Sequence, residues 1–130
     1  MYTTVRPQAG AGAAYRTIDL SSRIEAASPH RLIGILYEEL LNAIGLVRTT
    51  LRQGGNVHAA AAHPRALNII SALESSLDAN AAPDMTAALS RVYRETRRLL
   101  NDAASTRTPE PADQARTIIA EIALAWNAIG

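Results

Sequence analysis

Apolar residues recur every three or four positions through four stretches of the chain, the spacing of helices and not of strands. Ile33, Tyr37, Leu40, Ile44, Val47 and Leu51 form the first stripe. Leu32, Ile35, Leu36, Leu41 and Leu46 widen it beyond a single seam, so this helix needs more than one neighbour. Ser28 is placed to cap its free backbone N–H groups, and Pro29 fits its first position, where a missing N–H costs nothing. Gln53-Gly54-Gly55-Asn56 ends it in a tight turn. A second helix is predicted between Val57 and Asp78, on Leu67, Ile70, Leu73 and Leu77 with Ile69 alongside. Pro64 either kinks that helix or opens its ordered part, leaving His58 to His63 as a looser first turn.

Ala79-Asn80-Ala81-Ala82-Pro83 is the next break. Asp84 is expected to cap a third helix carrying Met85, Leu89, Val92, Thr96 and Leu99, with Ala88, Tyr93 and Leu100 beside them. A loop is predicted from Ala104 to Asp113 because it holds Pro109 and Pro111. The fourth helix carries Ala115, Ile118, Ile119, Ile122, Ala125, Trp126 and Ile129. Four amphipathic helices with short connections predict an all-α fold, an antiparallel up-down four-helix bundle.

The segment ahead of the bundle has a different character. Residues 1–14 are small, polar and glycine-bearing, a flexible arm by composition. Residues 15–27 carry Tyr15, Ile18, Leu20 and Ile24, too few apolar groups for an independent core element. They read as a short helix or extended strap laid on something else, so the layout is an arm at 1–14 and a helical domain with its strap at 15–130. A chain of 130 residues is expected to build one hydrophobic core.

Composition narrows the function classes. A formal net charge of +1 gives no global field toward nucleic acid or membrane. The absence of cysteine removes disulfides and thiolate chemistry. No apolar run approaches the roughly 18 residues of a membrane span, and Met1 to Gly12 lacks the apolar segment of a signal peptide. A soluble, cytoplasmic protein without membrane insertion is the expectation.

Catalytic signals are weak. His30-Arg31-Leu32-Ile33-Gly34 faintly resembles the H-x-L-K-G of histidine phosphotransfer bundles, but Ile33 replaces the lysine that steadies the phosphoryl group. His58 and His63 have no nearby Asp, Glu or Cys partner, so no metal is expected. No base–nucleophile pair is visible, and neither enzyme activity nor a cofactor is predicted. Arg91, Arg94, Arg97 and Arg98 are interleaved with acids and lack stacking aromatics, which favours a solvated helix face over a nucleic-acid patch. Arg97 and Arg98 can instead cap the C-terminus of a partner helix. Tyr37 and Tyr93 suit either a groove wall or a core with satisfied hydroxyls, and Trp126 reads as a packing anchor.

Ala27-Ser28-Pro29-His30-Arg31-Leu32-Ile33-Gly34-Ile35-Leu36-Tyr37-Glu38 resembles the A-S-P-x-x-L-I/V-x-x-L-Y/F-D with which FliS-family proteins open their first long helix. Three more segments agree in order and spacing. Met1-Tyr2-Thr3 and Ala14-Tyr15 match that family's N-terminal arm, and Ile69 to Asp78 resembles its I-I-x-x-L-x-x-x-L-D. Leu89, Val92-Tyr93 and Arg97-Arg98-Leu99 resemble its third-helix pattern, with Trp126 where the last helix carries tryptophan. The departures are Glu38-Glu39 for the usual Asp-Gly, Glu95-Thr96 for Tyr-Met, Pro64 in helix two, and Gly12 where some members carry an aliphatic residue linked to the export gate.

The resemblance implies an export chaperone for the disordered C-terminal segment of flagellin, which wraps the bundle as short amphipathic helices in apolar grooves. An export gate component is the implied second partner, a homodimer the state without flagellin, and the strap an alternative occupant of the groove. The side chains it implies for partner binding are Tyr15, Ile18, Leu32, Ile33, Leu36, Tyr37, Leu73, Leu77, Leu89, Tyr93 and Arg97. A self-associating helical adaptor is the alternative reading.

Overall fold

Every long helix of the protein begins with proline in or beside its first turn, where a missing backbone N–H breaks no intrahelical bond. The computed structural model describes residues 20–56 and 61–129 and is helical throughout, with no strand among those residues. Residues 20–26 are helical (α1), followed by α2 (Pro29–Arg52), α3 (Ala62–Ser75), α4 (Pro83–Thr106) and α5 (Glu110–Ile129). By contacts the chain divides at Leu32/Ile33 into two units, the first ending inside the opening turn of α2. In that first unit Ser28 Oγ accepts the Arg31 backbone N–H at 3.2 Å, the expected cap with Pro29 directly after it. The arm and the start of the strap, residues 15–19 with Tyr15 and Ile18, lie outside the described residues, and residues 20–26 of the strap are the helix α1.

In the second unit the sequence boundaries need three corrections. The helix predicted between Val57 and Asp78 runs from Ala62 to Ser75, so Leu77 lies beyond its end, and residues 57–60 lie outside the described residues. Pro64 is its third residue, and the first helical bond runs from the Arg65 N–H to the Ala61 carbonyl at 3.0 Å, so Pro64 opens the helix and does not kink it. Asp84 does not cap α4: Ala82 holds the cap position without a side-chain bond, Pro83 is the first residue, and Asp84 sits in the first turn. There its carboxylate faces the positive end of the helix dipole.

The third correction is the predicted loop from Ala104 to Asp113. Only residues 107–109 connect α4 to α5. Pro111 falls in the first turn of α5, and Ala103, Ala104, Ala112 and Ala115 are buried in the shared core, so packing extends both helices into the connection. Arg107 ends α4 in the left-handed region, φ 59° and ψ 37°. Gly54 turns the chain after α2 with φ 74°, as the Gln53–Asn56 turn required.

One core joins the four long helices. Tyr37, Leu40, Ile44 and Val47 of α2 meet Ala66, Ile70 and Leu73 of α3, Tyr93, Leu100 and Ala103 of α4, and Ala115 and Ile119 of α5. Small side chains let α4 and α5 approach closely. Cross-helix pairs fix the directions. Arg48 near the end of α2 is paired with Asp113 at the start of α5, while Tyr37 near the start of α2 packs on Trp126 near the end of α5. Those two helices therefore run oppositely. Glu39 pairs with Arg65 in the first turn of α3, and Glu74 at the far end of α3 pairs with Arg97 of α4.

The apolar stripes are narrower than the sequence suggested. Leu46, Met85 and Ile129 are 54%, 50% and 68% exposed, and Ala125 is exposed as well, so none of the four belongs to the interior. Among the described residues no helix is long and apolar enough to cross a membrane.

Candidate binding site

α3 ends earlier than the neighbouring helices, and the chain from Ser76 to Ala82 turns across the gap it leaves. The Asp78 carboxylate holds this turn by accepting the backbone N–H groups of Asn80 at 3.0 Å and Ala81 at 3.2 Å. Ser76 folds back onto the Leu73 carbonyl at 2.6 Å. Beneath the turn opens a cleft of about 130 Å³. Ile33 of α2, Leu77, Met85 and Leu89 of α4, and Trp126 of α5 supply its apolar walls.

Tyr37 and Tyr93 also line the cleft, from its inner side. Their rings are 0% and 1% exposed, and their hydroxyls meet at 2.7 Å. Both side chains are therefore core, with their hydroxyls satisfied by each other, and they border the cleft from beneath. Burial pushes both phenols above the ordinary tyrosine value, so each keeps its proton across the neutral range. Trp126 stands edge-on to Tyr37, with centroids 6.3 Å apart and planes at 79°. At Gly34 a Cβ would crowd Asn127 Oδ1 at 3.2 Å and stand in ordinary contact with Trp126 Cδ1 at 3.8 Å.

Of the side chains expected to bind a partner, Ile33, Tyr37, Leu77, Leu89 and Tyr93 come together in this one cleft. Leu36 is half-buried against the core, and Leu73 is fully inside it. Leu32 is half-buried in the first unit, and Tyr15 and Ile18 lie outside the described residues. Arg97 is engaged by its own chain, donating to Glu74 and, at 3.4 Å, to Ser71 Oγ. Arg98 donates to both oxygens of Glu95 at 2.9 and 2.7 Å, and Arg94 to Ser90 Oγ at 3.1 Å. This face of α4 is an ion-paired surface. Met85, and Ser76, Asp78, Ala81 and Ala82 of the turn, are cleft residues that the sequence reading did not select. The Asp-Ala-Asn run at 78–80, an Asx-turn signal, was the available clue.

Among the described residues no group of three or more His, Cys, Asp or Glu side chains is placed to hold a metal ion. Apolar walls with a neutral hydroxyl pair suit the burial of another chain's side chains, at roughly 25 cal/mol per Å² of apolar surface removed from water.

Comparison with known proteins agrees in kind. The family model described as flagellar protein FliS matches residues 11–130. A flagellar secretion chaperone FliS of Salmonella typhimurium is 30% identical over 117 residues, covering 89% of this chain and 87% of its own length. The flagellar secretion chaperone FliS of Vibrio cholerae is 27% identical over 116 residues, covering 89% of this chain and 85% of its own.

Proposed function

The chain belongs to the FliS family, a family of flagellar secretion chaperones and not of enzymes, and from that premise we propose that it binds the disordered C-terminal segment of flagellin. In this reading the bound segment is kept from polymerising in the cytoplasm until it is delivered to the flagellar export gate. The long helices form an antiparallel four-helix bundle, and the segment lies on it as short amphipathic helices, an apolar side chain entering the cleft beside Trp126. Residues 15–27 act as a strap whose Tyr15 answers to the gate.

The family match along residues 11–130 carries this reading. The cleft supports it physically, because Ile33, Leu77, Leu89 and Trp126 converge where a helix can lay down an apolar face. Ordering a disordered segment opposes binding, so a large apolar area has to be covered. Homodimerisation in the absence of flagellin is the second reading. The exposed Leu46, Leu124 and Ile129 favour it.

Gel filtration of equimolar mixtures tests the proposal. The cognate flagellin should co-elute with this chain as a one-to-one complex, and flagellin lacking its last few tens of residues should not. Co-elution of both forms, or of neither, overturns it.

A further inference from the structure

Three residues of α4 mark the depth of the cleft. Met85, Leu89 and Tyr93 all line it and are spaced by four, so they share one stripe of the helix. Exposure falls along that stripe: Met85 is 50% exposed, Leu89 is half-buried and Tyr93 is core. Tyr93 is therefore the floor and Met85 the rim. The walls differ in how firmly they are held. Ile33, Leu77, Leu89 and Trp126 all pack against the hydrophobic core, whereas Met85 is outside that packing. It is the one large apolar wall, among the described residues, that is free to move.

We propose that Met85 is the specificity-determining residue of the cleft: it closes over one apolar side chain of the bound segment and sets how large that side chain is. This deepens the reading of the cleft as a flagellin-binding site and rests on it. Volume fixes the number of side chains. A protein cavity of about 150 Å³ holds one benzene-sized group, so a cleft of about 130 Å³ takes a single large side chain and not two.

The lining fixes the chemistry. Among the described lining residues the one charged group is Asp78, whose carboxylate already accepts two backbone N–H groups of its own turn. No lining cation meets an entering carboxylate, and any polar group set between Ile33, Leu89 and Trp126 loses water without return. The occupant is accordingly aliphatic or aromatic. Methionine suits the rim because its unbranched thioether, with three rotatable bonds, shapes itself to what lies beneath.

The test uses the full chain, a synthetic peptide of the last few tens of residues of the cognate flagellin, and calorimetric affinities. Met85→Leu should stay within about twofold of the parent, and Met85→Ala should bind about three- to tenfold more weakly. Met85→Glu should lose more than about tenfold while its urea midpoint holds or rises, because an acid in the first turn of α4 suits the helix dipole. The large apolar residues of the peptide are then changed to alanine one at a time, against the parent and against Met85→Ala. A single position should be coupled to Met85, its loss costing the parent about threefold more than the variant. Tryptophan at that position should be accepted better by Met85→Ala than by the parent. Absence of a coupled position, coupling spread over several, tryptophan better accepted by the parent, or parent-like binding by Met85→Glu overturns the inference and leaves the proposed function standing. A parent that does not bind the peptide removes the proposed function, and the inference with it. Should Met85→Glu melt early, the alanine cycle alone decides.

Discussion

Glu39, buried in the middle of α2, is ion-paired with Arg65 in the first turn of α3. The sequence comparison flagged Glu38-Glu39 as a departure from an Asp-Gly pair, and the structure gives the second glutamate a task. It anchors the start of α3 against α2, just after residues 57–60. Arg65 is 43% exposed, so solvent screens its half of the pair.

The first prediction concerns this pair. Arg65→Met should destabilise the fold by about 1–2 kcal/mol, because the partly buried carboxylate loses its cation. Glu39→Gln with Arg65→Met should cost less than the two single changes added together. Urea melts of the four proteins give the coupling. Strict additivity would show that the pair contributes nothing.

Two backbone positions should accept a stabilising change. Gly45 lies inside α2, and a Cβ there would meet nothing within 4 Å. Gly45→Ala should add about 0.5–1 kcal/mol through helix propensity. Arg107 holds a left-handed conformation with φ 59°, which costs a non-glycine residue about 1 kcal/mol. Arg107→Gly should recover part of it, read as a rise in thermal midpoint. A fall in both variants would contradict the helix boundaries described above.

Alkaline stability follows from the tyrosine pair. Burial raises both phenols above their unfolded value of about 10, so the unfolded chain releases these protons first. Their contribution is complete below pH about 10 and is lost as pH rises further. Urea midpoints should hold from pH 8 to about 10 and then fall, and fall less in the Tyr37→Phe/Tyr93→Phe variant. The same decline in both proteins would show that other groups control the alkaline limit.

Much of this was legible in the sequence, for reasons that differ from place to place. The Ser28-Pro29 start was readable because capping is local, within four residues. The stripe Tyr37, Leu40, Ile44, Val47, Leu51 is buried as its period predicts. Pro109 and Pro111 misled: proline breaks a helix interior but suits a first turn, and only packing of Ala103 and Ala104 near Ala112 distinguishes the cases. The Tyr37–Tyr93 bond joins residues 56 apart and depends on the register of α2 against α4, which no local signal encodes. The cleft depends on where α3 stops. Periodicity carried Leu77 along with helix two, whereas the chain has already left the helix at Ser76.

In the proposed function an apolar groove on this helical protein folds and holds a disordered segment of flagellin. The most direct measurement is far-ultraviolet circular dichroism of the full chain mixed with the isolated C-terminal peptide of its cognate flagellin, against the sum of the separate spectra. The account predicts added helical signal that saturates at one peptide per chain, accompanied by a change in the fluorescence of Trp126, the chain's single tryptophan. A mixture that equals the sum of its parts at saturating concentration would contradict it.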